Sequence, residues 1–419
     1  MNNSTVTGLR LHPASAAMVD RIGSIEFPTK RDEAWRYAPR AKLAQLSFVP
    51  AVSSVPFVPA DVELQIPPLD GPTIVIVNGV VDQSRSNLAG LPAGLTLATM
   101  VEVAANEPKR LDRHFRPDIT DAFAALNVAY GTDGVVITVG EGQRIDLPIH
   151  IVDIVLPNDT QNMFCAGVVI DLGAAAAATV VETRIGGETS TAHNGVGGSN
   201  RRTTVTLGAN AALEHIVLQD LPRSQVQLGA VEVVQAERSE FKGRSFNLGA
   251  SFGRLAYRVE LVGHGAQADL SGLFFGRGEQ ILDQHITVVH GAKDCVSRQS
   301  FRGVLDDESV GVFNGGIDVR PGADGTNAEQ FNANLLLSRR AEINTQPRLA
   351  ILADDVACKH GATVGQLDET ALYYLRSRGI PAERARRLLI DAFADQSVEE
   401  IGIETVRAWV SQRLRHNDE

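Results

Sequence analysis

The chain has 419 residues, 44% apolar and 21% charged, with a formal charge of -11. That length and balance suit two or three soluble domains around a large core, and they exclude the disordered and membrane-embedded classes. The 39 basic residues against 50 acidic ones form no long basic block, which excludes a duplex-binding role resting on clustered cations.

The first residues, 1–13, lack the basic flank and apolar run of a secretory signal. The longest apolar stretch, residues 172–181, is interrupted by Gly173 and Thr179 and is too short to span a bilayer. A cytoplasmic location is expected, with neither nucleic acid nor membrane as a partner. Residues 15–25 and 30–46 carry helical patterning on either side of Phe27-Pro28. Residues 50–72 hold six prolines and read as an extended linker; residues 73–81 form an apolar strand containing an Asn78-Gly79 turn, and residues 119–129 are helical again. Residues 1–130 are thus expected to form an N-terminal helical domain with a proline-rich linker.

Between residues 131 and 352 the pattern changes to short runs of valine, leucine and phenylalanine punctuated by Gly, Asn and Asp, which predicts many short strands. Alternation is clear at residues 257–261: Tyr257, Val259 and Leu261 share one face, while Arg258 and Glu260 share the other. Eight Gly-Ala dipeptides run from Gly173-Ala174 to Gly361-Ala362, the middle ones 21, 20 and 16 residues apart. Strand and glycine corner recurring at that length favour a coiled β architecture, with a β-sandwich as the alternative. Gly263-His264-Gly265-Ala266-Gln267-Ala268 matches a dinucleotide pattern, but a strand follows it in place of a helix, so it reads as a turn.

Residues 353–419 are expected to form a C-terminal helical domain. Asp368 caps a helix that runs to Arg378, stopped by Gly379 and Pro381, and a second helix after Pro381 aligns Ala385, Leu388, Leu389, Ala392 and Phe393 on one apolar stripe. Ser397 and Glu400 have the spacing of a capping box before a last helix that aligns Val406, Trp409, Val410 and Leu414.

The chemistry is notable for what is missing. The chain contains no P-loop and no H-E-x-x-H, so nucleotide energy and zinc-hydrolase chemistry must come from elsewhere. The acidic groups Asp306-Asp307-Glu308 and Asp354-Asp355 read as solvated corners; as catalytic carboxylates they would make this a carbohydrate-active β-helix enzyme. Three dispersed cysteines, Cys165, Cys295 and Cys358, suit a reducing compartment and fall short of a four-thiolate site. Cys165 and Cys295 fall in predicted strands and read as small core residues, and His285 and His290 with Asp283 form only a loose array. Cys358 and His360 are different. In extended backbone, residues two apart share a face, so thiol and imidazole can reach one metal or sulfur together, and Lys359 beside them would favour the thiolate. Two donors make half a tetrahedral site; a buried thiol and a hydrogen-bonded ring are the alternative for a lone C-x-H.

The block Asp354-Asp355-Val356 through Cys358-Lys359-His360-Gly361-Ala362-Thr363-Val364-Gly365, followed by Leu372-Tyr373-Tyr374-Leu375-Arg376-Ser377-Arg378-Gly379-Ile380, resembles the C-terminal signature of the SufB/SufD family. Arg31-Asp32-Glu33-Ala34-Trp35-Arg36-Tyr37 is similar to the entry motif of its SufD branch. Val312-Phe313-Asn314-Gly315-Gly316-Ile317 and Gln330-Phe331-Asn332-Ala333-Asn334-Leu335 fit its β core. SufB chains are similar but carry His-Glu-Ala where this one has His360-Gly361-Ala362, and they contribute more cysteines.

The resemblance implies a mainly β chain with a right-handed parallel β-helix core, flanked by N-terminal and C-terminal helical domains. It further implies a non-catalytic scaffold subunit of the SufBCD complex, paired with SufB through the β-helix, with the SufC ATPase on the C-terminal helices. A transient iron-sulfur cluster would be shared with SufB, for which His360 and Cys358 are the metal-site candidates. A reduced flavin is associated with the assembled complex in the family, although no flavin motif is legible here, and an isolated chain could pair with a second copy. A SufB-like primary scaffold is the alternative within the family, and the scarcity of cysteine argues against it.

Overall fold

The computed structural model describes residues 11–29, 31–49, 56–116, 119, 121–156, 162–187 and 197–416. The first six residues of the expected linker, 50–55, lie outside that set. Two ten-stranded sheets face each other across a narrow lumen, and the chain passes from one to the other strand by strand. One sheet runs from Gly134–Val139 through every second strand to Glu342–Ile351; the other runs from Ile149–Val155 to Val356–Gly365. All the pairings within these two runs are parallel and in register: Phe252 lies against Ile281, and Ile281 against Val310. The result is a parallel β-helix.

Alternation sorts the side chains as expected. Tyr257, Val259 and Leu261 point into the lumen with Val205, Val233 and Phe241, whereas Arg258 and Glu260 face out and pair at 2.8 Å. Most of the Gly-Ala dipeptides lie at corners, as at Gly208, Gly249 and Gly265, but Gly229 and Gly361 lie within strands. The dinucleotide-like run at Gly263 is a corner leading into Gln267–Gly276.

The N-terminal segment contributes more strand and less helix than expected. Thr73–Val77 and Val80–Asn87 form a hairpin on the second sheet, and Leu95–Thr99 adds an antiparallel strand to the first. Of the run expected to be helical over 30–46, the described residues 31–46 contain only a tight turn at Glu33–Trp35 and a short helix at Arg40–Leu43, because Pro39 interrupts the run. Trp35 instead packs with Phe123 on the outer face of the first sheet. The Arg254 guanidinium lies 3.9 Å from the centre of its ring, and Arg254 Nη1 donates to the Ala34 carbonyl at 2.9 Å.

The coil continues to Gly365, past the boundary expected at 352, because each residue of Val356–Gly365 finds a register partner on Thr326–Leu336. Helix follows only at Glu369–Ser377, capped by Asp368, whose carboxylate accepts from the Thr370 amide at 2.8 Å. The next helix, Ala382–Val398, buries only part of the expected stripe: Ala385 is buried and Phe393 packs partly against the core, but Leu388 and Ala392 are exposed, while Ile390, Ala394, Ser397 and Val398 pack toward the outer face of the second sheet. These four are also spaced i, i+4, i+7, i+8, and the serine among them hides the pattern. Ser397 is therefore no cap: its hydroxyl donates to the Gly272 carbonyl at 3.4 Å from within the helix. Val406, Trp409, Val410 and Leu414 of Glu404–His416 are all buried, as their spacing predicts. Among the described residues no helix is long and apolar enough to cross a membrane.

Candidate functional site

The strand Val356–Gly365 ends the second sheet, and among the described residues no further coil covers it. Its odd-even pattern follows that of its neighbour. On Thr326–Leu336, Ala328, Gln330 and Asn332 are buried and Asn327, Glu329 and Phe331 are exposed. The register places Cys358 against Ala328 and His360 against Gln330, so both face the lumen at its open end. Cys358 is partly buried, packing beside Ala328 and Val319, whereas His360 is exposed.

Lys359 points the other way. Its ammonium pairs with Glu329 at 2.6 Å on the outer face, so it does not lie beside the thiol as the sequence suggested. Burial raises the Cys358 thiol above its ordinary value with no opposing cation, and the free chain carries it as the thiol. A thiolate at this position requires a metal or a cation brought by another chain. Among the described residues no group of three or more His, Cys, Asp and Glu side chains converges to hold a metal. Cys358 and His360 offer two donors on an open surface.

The other candidates lie elsewhere. Cys165 is buried in Asn162–Leu172, its thiol 3.8 Å from the Leu126 carbonyl and pushed up to about 12 by burial. Cys295 is buried at the corner before Val296–Leu305, its sulfur 3.4 Å from the Gly263 carbonyl. His285 reaches back to Asp283 at 3.3 Å on the outer face, while His290 is buried against Ser297 at 2.8 Å, so the two do not meet. Asp306, Asp307 and Glu308 occupy a corner, as expected, where Glu308 pairs with Arg340.

One feature of the lumen escaped the sequence altogether. Within the coil, Glu182 receives the Arg184 guanidinium at 2.9 Å, His215 Nε2 at 2.9 Å and the Thr203 hydroxyl at 2.6 Å. Beside it, Asp153 accepts from Arg201 and from the Ser199 hydroxyl at 2.8 Å. Burial opposes the Glu182 charge, but Arg184, together with the His215 and Thr203 donors, holds its carboxyl well below the usual carboxylate range. Isolated charges inside predicted strands gave no periodic signal, since they occupy positions that alternation assigns to the core.

A parallel β-helix with a thiol and an imidazole at the rim of its last coil is the class of protein that fold and site define. Residues 155–393 match the family described as SUF system FeS cluster assembly, SufBD core domain, and residues 14–151 match the SufBD protein N-terminal region. The iron-sulfur cluster assembly protein SufD of Escherichia coli is 28% identical over 97% of this chain and 93% of its own length. An iron-sulfur cluster assembly SufBD family protein of Synechocystis is 29% identical over 94% of this chain and 88% of its own. SufD of Bacillus subtilis is 28% identical over 75% and 72% respectively. The chain belongs to the SufB/SufD family of iron-sulfur cluster assembly proteins.

Proposed function

We propose that the chain is a non-catalytic, cytoplasmic scaffold subunit that shares a nascent iron-sulfur cluster with a SufB subunit across the open end of its β-helix. The observation that carries this is the placement of Cys358 and His360 on one face of the last strand, at the rim of an uncovered lumen. Imidazole and thiolate are both ligands for iron in clusters. Two donors from this chain leave the remaining positions to the thiolates of a partner, and the cluster is cargo held between subunits.

The edges of Glu342–Ile351 and Val356–Gly365 support pairing at this end, because unpaired strand edges recruit other strands. Exposed Leu352 and Val364 give that surface an apolar component. The SufC ATPase would dock on the C-terminal helices, where Tyr373, Tyr374 and Leu388 are exposed and Arg384 adds a cation.

His360→Ala in the co-assembled complex tests the reading. Iron and acid-labile sulfide after anaerobic reconstitution are expected to fall at least tenfold, while the complex still assembles and folds because the side chain is exposed in the free chain. Iron and sulfide at the wild-type level would remove His360 from the site.

A further inference from the structure

Beneath His360 the lumen is floored with amides. The register stacks Gln299, Gln330 and His360 in one column on successive strands of the second sheet. Gln299 and Gln330 are only 1% and 3% exposed. The Gln299 amide donates through Nε2 to the Gly316 carbonyl at 3.2 Å, but its Oε1 has no partner, and neither end of the Gln330 amide has one. Buried polar atoms are ordinarily hydrogen-bonded, and an apolar side chain of the same size would leave none orphaned. The Gln330 amide therefore adds nothing to the coil as it stands.

The opposite sheet makes room for it. A methyl group on Gly315 would stand 1.5 Å from Gln330 Nε2, so the amide crosses the lumen into space that only glycine leaves free. Asn314-Gly315-Gly316 and Gln330-Phe331-Asn332, two segments the sequence singles out, are thus halves of one arrangement. Neighbouring strands lie about 4.8 Å apart, so side chains on adjacent rungs of a parallel column come within hydrogen-bonding reach when they turn toward each other. Amide columns in parallel sheets join rung to rung in this way.

We propose that Gln330 is a positioning residue for His360: its Oε1 accepts one imidazole N–H and leaves the other ring nitrogen, unprotonated, facing out of the open end toward the cluster. This rests on the reading of His360 as a cluster ligand. Ligating histidines characteristically give their second N–H to a carbonyl or carboxylate, which fixes both the tautomer and the plane of the ring. Gln330 supplies an unused acceptor one rung below, and Gln299, with its own free Oε1, can take up the Gln330 N–H in turn.

The test uses the full-length chain labelled with 15N-histidine, the His360 ring signals being identified by their loss in His360→Ala. Wild type is expected to show one dominant tautomer, and Gln330→Met a mixture of both. Gly315→Ala, whose methyl displaces the amide, should match Gln330→Met, and Gln330→Glu, which keeps an oxygen acceptor, should restore the single tautomer. In the co-assembled complex, Gln330→Met should lower cluster content about tenfold, the usual effect of losing an outer partner of a ligand. Identical His360 ring signals in wild type and in both Gln330→Met and Gly315→Ala would overturn the proposal. Ring signals that change as expected while His360→Ala leaves iron content untouched would uphold the hydrogen bond and sink the ligand role instead.

Discussion

At its N-terminal end the coil is closed twice. Leu95–Thr99 pairs antiparallel with Gly134–Val139 on the first sheet, and the hairpin of Thr73–Val77 and Val80–Asn87 lies against Ile149–Val155 on the second. At the C-terminal end Glu342–Ile351 and Val356–Gly365 carry the last edges of both sheets with nothing beyond them among the described residues. Unpaired strand edges are a liability that natural proteins usually blunt. Antiparallel strands finish both sheets at the first end, whereas the second ends on strands of the coil itself, with a thiol and an imidazole on the last of them. The polar groups add a second contrast: deep in the coil Glu182 gathers Arg184, His215 and Thr203, and Asp153 gathers Arg201 and Ser199, while near the rim the Gln330 amide has no hydrogen-bond partner.

Breaking the closed part should cost the most. Glu182→Gln removes the carboxylate that neutralises Arg184 and leaves a buried guanidinium without its charge partner; urea unfolding of the isolated chain should show a loss of about 3–5 kcal/mol. A loss under about 1 kcal/mol would mean that the lumen does not depend on its charges.

Acid should act next, and again within the coil. Burial lowers both His150 and His290 to about 4. Above the unfolded value near 6.5 both states hold these rings neutral, so stability does not change with pH there. As pH falls from about 6.5 to 4, the unfolded chain binds protons that the folded chain refuses, and stability is lost, by up to about 3 kcal/mol for each ring. Urea midpoints should therefore drop between pH 7 and pH 4.5. In a variant with His150→Asn and His290→Asn the drop should shrink; an equal drop would assign the acid sensitivity to other groups.

Much of the architecture was legible because a solenoid repeats its local rules. The alternation at Tyr257, Val259 and Leu261, the glycine corners and the Asp368 cap each depend on residues close in sequence. What escaped depends on partners far along the chain. Trp35 packs onto the first sheet, where Arg254, more than two hundred residues on, covers its ring. The buried stripe of Ala382–Val398 is set by the sheet beneath it and includes Ser397, which a hydrophobic pattern passes over. At the site, the shared face of Cys358 and His360 could be read from their two-residue spacing, but the direction of Lys359 could not, since Glu329 captures it from the neighbouring coil.

Iron and sulfide stoichiometry after anaerobic reconstitution, measured for the chain alone and for the same chain mixed with the proposed SufB and SufC subunits, tests the account most directly. With two protein donors at an uncovered rim, the chain alone should retain no cluster through gel filtration, and the assembled complex should retain one. A complete, stable cluster on the isolated chain would contradict it.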